Sequence, residues 1–131
     1  VYSEKNFYGA SLWHPPGVQF DNSTLESTFA SIPHDRIEVV IKFFEEFEKY
    51  HPEDAWYLPF IAVDPAKQRQ GIGSFLLKDA LQMIDKKNDR AYLEASNEQN
   101  KALYERHGFV EIGRVQFEDS PPAFPMIRDP R

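Results

Sequence analysis

Apolar positions recur along the chain with two periods, and the switches between them predict the elements. Phe7 to Trp13 is predicted to form a strand, ended by His14-Pro15-Pro16-Gly17, which cannot continue a ladder. Ser23-Thr24-Leu25-Glu26 has capping-box spacing and predicts the start of a short helix. A longer helix is expected from Asp35 to Tyr50, where Ile37, Val40, Ile41, Phe44 and Phe47 recur at helical spacing with charged residues between them, and His51-Pro52 stops it. Phe43, Phe44 and Phe47 are expected in the core. Trp56 to Val63 is a continuous apolar and aromatic run, the pattern of a buried strand. Pro59 inside it cannot donate to a ladder, so the strand is expected to be unpaired on one side there or bulged. From Ile72 to Lys86 two apolar rows, Leu76/Ala80/Met83 and Leu77/Leu81/Ile84, predict a helix packed on a sheet. Ala91 to Ser96 follows as a strand, Glu98 to His107 as a helix, and Gly108 as its C-terminal stop. Phe109 to Phe117 and Ala123 to Arg128 are expected to pair antiparallel around Pro121-Pro122. The order strand, helix, helix, strand, helix, strand, helix, strand, strand predicts a mixed α/β sheet whose central strand–helix–strand unit is a right-handed parallel crossover.

Composition narrows the classes of function. At 131 residues the chain fits one domain, spanning 1–131, and hydrophobic residues at 41% with aromatics at 15% mark it as globular. No run approaches the roughly 20 apolar residues that span a bilayer, and no secretory signal is visible, so no membrane role is expected. The net charge of −6 is spread along the chain without a basic stripe, which argues against nucleic acid as a partner. Absence of cysteine excludes disulfides, thiolate metal sites and a cysteine nucleophile, and a cytoplasmic location is expected. His14, His34, His51 and His107 lack metal-ligand spacing, so no metal is expected. No Gly-x-Ser-x-Gly elbow accompanies them, which argues against a serine hydrolase. Asn22-Ser23-Thr24 matches a glycosylation sequon but also reads as a helix start. The chain opens at Val1 almost directly into strand-like sequence, and a further N-terminal segment is expected upstream.

The segment Val63-Asp64-Pro65-Ala66-Lys67-Gln68-Arg69-Gln70-Gly71-Ile72-Gly73-Ser74 carries the clearest chemical signal. A buried strand, a short glycine-containing loop and an amphipathic helix in succession present free N–H groups and the positive helix end to an anion. Gly71 and Gly73 allow close approach of that anion to the backbone. The loop lacks the Gly-Lys-Ser/Thr of a Walker A motif, and the position three after Gly73 is Leu76, which breaks a dinucleotide fingerprint. Neither NAD nor ATP is therefore expected to bind.

Val63-x-Pro65 followed by Gln68-x-x-Gly71-x-Gly73 resembles the acetyl-CoA pyrophosphate loop of the GNAT family of N-acetyltransferases. A second block, Leu93-Glu94-Ala95-Ser96-Asn97-Glu98-Gln99-Asn100-Lys101-Ala102-Leu103-Tyr104-Glu105-Arg106-His107-Gly108-Phe109, is similar to another signature of that family: Asn, then Leu-Tyr, then Gly-Phe. Trp56-Tyr57-Leu58-Pro59 and Leu93-Glu94-Ala95-Ser96 look most like its small-molecule branch, which includes puromycin N-acetyltransferases. The resemblance implies a single-domain, mainly antiparallel sheet flanked by helices, with a splayed parallel strand pair where acetyl-CoA binds. It implies that Gln68, Arg69, Gln70, Gly71, Ile72, Gly73 and Ser74 hold the pyrophosphate of coenzyme A, and that Ile61, Ala62 and Val63 pair with pantetheine. Asn97 or Asn100 would contact the pantetheine arm, although Asn97 also suits a helix N-cap.

The same resemblance places the Tyr104 hydroxyl beside the thioester sulfur as a general acid, against a simpler reading as a half-buried helical tyrosine. Glu94 shares a strand face with Tyr92 and Ser96 and is either a solvated charge or the base that takes the acceptor's proton; in some relatives the base position falls on Tyr92. A wet cleft is expected around it. Trp13, Trp56 and Tyr57 either line an acceptor pocket or merely pack. The implied reaction is acetyl transfer to a primary amine of a small molecule. A protein N-terminus or lysine as acceptor, or a non-catalytic acyl-CoA-binding module, are the alternatives. Self-association to a homodimer is left open.

Overall fold

The computed structural model describes residues 2–3, 8–17, 30, 33–116 and 121–131. Its strands are β1 (Tyr2–Ser3), β2 (Gly9–His14), β3 (Ala55–Val63), β4 (Arg90–Ala95), β5 (Val110–Glu111) and β6 (Phe124–Arg128). Its helices are α1 (His34–Glu48), α2 (Ile72–Lys86) and α3 (Glu98–Arg106), with one 3-10 turn at Pro65–Lys67. The expected helix start at Ser23–Glu26, the sequon at Asn22 and the side chains of Val40, Phe43 and Phe44 lie outside the described residues. No described helix is long and apolar enough to cross a membrane.

The strands form one six-stranded sheet in the order β1-β2-β3-β4-β6-β5. Every neighbouring pair is antiparallel except β3 with β4, the parallel pair bridged by α2. Both expected features of Pro59 are present. Between Leu12↔Phe60 and His14↔Tyr57 the register shifts, so Leu58 and Pro59 together oppose Trp13 as a bulge. On its other side β3 pairs with β4 only at Ala55, Trp56 and Tyr57, and the two strands part beyond Tyr57. A residue that cannot donate stands where the ladder opens.

One face of the sheet carries the core. Leu77, Ala80, Leu81 and Ile84 of α2 and Tyr104 of α3 pack on Leu58, Ala91, Leu93, Ala95, Phe124 and Met126. The two apolar rows of α2 are buried as the pattern predicts, with Met83 partly buried at their edge. Residues just after α1 lie on the opposite face, where His51 stacks on Tyr57.

Two expectations are corrected. Ile41 belongs by spacing to the apolar face of α1, yet it is 43% exposed. Of the strand expected over Phe109–Phe117, the described residues form only Val110–Glu111 and a single bridge, Val115↔Ala123, and Phe117 lies outside the described residues. As the edge strand it has one neighbour, and Gly113 interrupts it where a Cβ would collide with the Tyr50 ring.

Candidate active site

The loop before α2 is shaped by backbone conformation. Asp64 caps the 3-10 turn by accepting from the Ala66 N–H at 2.9 Å, and Gln68 Nε2 donates to the Val63 carbonyl at 3.4 Å. Arg69 (φ 65°) and Gly71 (φ 83°) are both left-handed, which turns the chain sharply into the helix. Gly71 is the N-cap of α2, no side chain caps that end, and its first turn holds no acidic residue. The leading amides of α2 therefore lack intrahelical partners. A Cβ on Gly71 would meet nothing within 4 Å, so the loop faces open space. The Ser74 hydroxyl lies 2.7 Å from His107 Nε2, which ties the first turn of α2 to the end of α3.

Tyr104 is held by the stop signal of its own helix. Gly108 (φ 93°) is left-handed, its N–H donates to the Glu105 carbonyl at 3.0 Å, and the Phe109 N–H donates to the Tyr104 carbonyl at 3.1 Å. This is a Schellman motif, and its hydrophobic contact is the Tyr104–Phe109 ring pair at 6.0 Å. The Tyr104 ring is 6% exposed, and burial raises its hydroxyl above the ordinary tyrosine range, so it stays protonated. Asn97 is the N-cap of α3: its side chain accepts from the Asn100 N–H at 2.7 Å. Asn100 Nδ2 donates to Ser96 Oγ at 3.3 Å.

Glu94 lies on the opposite face of β4 from Leu93 and Ala95 and is partly buried there. Its carboxylate accepts from the Tyr57 hydroxyl at 2.9 Å to Oε1 and 2.7 Å to Oε2. Burial pushes its pKa from 4.5 up to about 7, and the Tyr57 hydrogen bond opposes that rise. Tyr92, the alternative base position, is fully buried, and its hydroxyl has no hydrogen-bond partner. The aromatics divide in role. Trp13 is buried with its indole N–H on Ser11 Oγ at 3.1 Å, and Trp56 donates to Asp89 Oδ2 at 3.0 Å; both pack with the core. Tyr57 instead faces Glu94. Ile61, Ala62 and Val63 lie on β3 past the point where it leaves β4, so their backbone has no ladder partner on that side.

The gap between β3 and β4 thus has the Gly71 loop and Tyr104 toward one face, and Glu94 with Tyr57 toward the other. A sequence model of the family described as "Acetyltransferase (GNAT) domain" matches residues 44–129. The chain belongs to the GNAT acetyltransferase family. It is 29% identical over 142 residues to an uncharacterised N-acetyltransferase of the fission yeast Schizosaccharomyces pombe, covering 95% of this chain and 58% of that protein. Among solved structures, a Corynebacterium glutamicum histone acetyltransferase and related acetyltransferase matches with TM-score 0.68 and 26% identity, over 98% of this chain and 62% of that one. Arylalkylamine N-acetyltransferase 2 of Aedes aegypti shares the fold, with TM-score 0.69 and 10% identity over 98% of this chain and 71% of that one. The chain therefore spans under two thirds of the length of the first two relatives.

Sequence reasoning missed three features: Tyr57 as the partner of Glu94, His51 stacked against Tyr57, and His107 as the partner of Ser74. Glu94 and Tyr57 are 37 residues apart, and only the parallel register of β3 on β4 brings them to one face. His107 stands in the quoted second block, but nothing in its spacing pairs it with Ser74.

Proposed function

We propose that this chain is the catalytic domain of an acetyl-CoA-dependent N-acetyltransferase that acylates a primary amine of a small molecule. The observation that carries this reading is the gap between β3 and β4, with the protonated Tyr104 on the α2 side and the Glu94 carboxylate on the other. Donor and acceptor can then meet across the sheet, one from each face.

The residues present fit coenzyme A. An uncapped helix start without acidic residues, a left-handed glycine and open space beyond it suit a pyrophosphate. Gln68 to Ser74 would hold that group, the unpaired edge of Ile61, Ala62 and Val63 would take pantetheine, and Asn100 would contact the arm because the Asn97 carbonyl oxygen serves the α3 cap. Acetyl-CoA supplies the activated acyl carbon and a thiolate leaving group. Backbone N–H groups of β3 in the gap would polarise the thioester carbonyl. Glu94 takes one proton from the ammonium nitrogen and leaves a lone pair free to attack. Tyr104 gives its hydroxyl proton to the departing sulfur and regains one from the nitrogen as the new C–N bond forms. Glu94 returns its proton to water, so the balance is one amide, one thiol and one released proton.

The acceptor side supports a small amine over a protein chain. The part-buried Glu94 carboxylate is held by the Tyr57 hydroxyl, and the His51 ring stacks on Tyr57 at 4.6 Å, which is an aromatic setting rather than a flat acidic groove. The test is calorimetric titration with acetyl-CoA and NAD, followed by thiol release with a panel of primary amines. Acetyl-CoA binding with amine-dependent release supports the reading. Binding without release by any amine marks a non-catalytic acyl-CoA module, and failure to bind acetyl-CoA defeats the reading.

A further inference from the structure

A carboxylate taken out of water without a counter-ion is costly, and proteins ordinarily pair it or hold it neutral. Glu94, part-buried, is drawn toward that position. None of the ion pairs among the described residues includes it. What it has is the Tyr57 hydroxyl, within 2.9 Å of both of its oxygens. Tyr57 is itself held by its neighbours: the His51 ring stacks on it at 4.6 Å and 6°, and His14 meets it edge-on at 6.3 Å. Tyr92 lies 5.8 Å away, and its buried hydroxyl has no partner. A part-buried carboxylate whose partner is a neutral hydroxyl, beside the face of an aromatic ring, lacks a cation.

We propose that Tyr57 is a positioning residue that holds the Glu94 carboxylate toward an acceptor arriving as a primary ammonium ion. The proposal rests on the acetyltransferase reading and names the charge state of the acceptor. In the step, an N–H bond of the ammonium breaks, the proton passes to a Glu94 oxygen, and the electron pair stays on nitrogen. Tyr57 from β3 faces Glu94 directly and Tyr92 of β4 shares its face, while His51 from the segment after α1 and His14 of β2 pack on Tyr57. Both tyrosines stay neutral because burial raises them, and burial lowers His51.

The experiment needs no known acceptor. Carbon-13 NMR follows the Glu94 carboxyl, assigned by its absence in Glu94→Gln, across the pH range. In Tyr57→Phe the lost donor no longer favours the carboxylate, so the midpoint should move up by about one pH unit. A folded Tyr57→Phe protein in which Glu94 titrates as before overturns the positioning role. Should that variant not fold, the wild-type protein decides: the Tyr57 ring carbon bearing the hydroxyl should titrate with the Glu94 midpoint, and a flat response overturns the pairing. Methylammonium chloride should lower the Glu94 midpoint more than sodium chloride at equal ionic strength. Equal effects of the two salts overturn the ammonium assignment. These readouts are independent of acetyl transfer. An enzyme that acetylates amines while failing them loses only this proposal; one that passes them without binding acetyl-CoA loses the functional reading.

Discussion

At the scale of single residues, Tyr104 and Glu94 sit in environments that push their protons in useful directions, and each makes a separate prediction. Tyr104 is kept protonated by burial, and its ring is fixed by Phe109. Tyr104→Phe removes only the hydroxyl, so kcat should fall about 10- to 10³-fold with little change in acetyl-CoA affinity, as measured by steady-state kinetics beside calorimetry. Undiminished turnover with chemistry rate-limiting would make Tyr104 structural. For Glu94 the sign follows from the raised pKa. The folded state binds the proton more tightly than the unfolded chain, so stability present below pH 4.5 is lost as pH rises through about 7. Glu94→Gln cannot ionise. Relative to wild type it should gain stability on the order of 1–3 kcal/mol above pH 7, and this gain should vanish at pH 4, as read by urea unfolding at both pH values. Loss of stability at pH 7 would show a needed carboxylate. Alternation along β4 was enough to put Glu94 on a face with Tyr92, but not to say how wet that face is. That depends on Tyr57 and His51, which reach it from other elements and leave no periodic trace near residue 94.

At the scale of elements, legibility follows how locally each signal is made. The start of α2 and the end of α3 were readable because glycine is needed where φ is positive, and Gly71 at 83° and Gly108 at 93° meet that need. The break between β3 and β4 was readable because Pro59 lacks the donor a ladder requires. The edge strand β5 was overextended because its alternating residues carry no record of having one neighbour, or of Tyr50 standing over Gly113. Substitutions at two glycines, Gly71 and Gly73, separate fold from ligand. Gly71→Ala places a side chain in a left-handed N-cap, so stability should fall by about 1 kcal/mol. Gly73 has an ordinary φ, and a Cβ there would meet Val63 at 3.8 Å and Leu103 at 4.0 Å, normal contacts. Gly73→Ala should therefore melt near wild type, while Gly73→Val, which adds bulk beside Val63 and the leading amides of α2, should weaken coenzyme A binding about tenfold. Unchanged affinity in a folded Gly73→Val protein would remove the loop from the cofactor site.

At the scale of the whole molecule, the proposed reaction needs α2, α3 and the sheet held in fixed relation, and one ion pair joins them. Arg128, at the end of β6, donates to Asp85 of α2 at 2.7 and 2.9 Å and to the His107 carbonyl at the end of α3 at 2.8 Å. The Arg131 N–H adds a third bond to Asp85, at 3.1 Å. These groups border a cavity of about 240 Å³ between the helices and the chain end, on the α2 face and remote from Glu94. No local pattern foretells the pair, because its partners are 43 residues apart and belong to different elements. Arg128 hydrogen bonding, followed by the Arg131 N–H and the charges of both arginines, outweighs burial and holds the Asp85 carboxyl below its ordinary value. A depressed carboxylate contributes stability that is present above the unfolded pKa of 3.8 and is lost as pH falls through the lower folded value. Asp85→Asn leaves the Arg128 side chain, only 6% exposed, with no anion, and should destabilise the protein by about 3 kcal/mol at pH 7. Because protonated Asp85 resembles asparagine, the difference between the two proteins should hold steady from pH 7 to 5 and narrow below 3.8. Urea unfolding across that range measures it. A difference that persists undiminished at the acid end would show that shape and hydrogen-bond direction at Asp85, rather than its charge, lock the helices to the sheet.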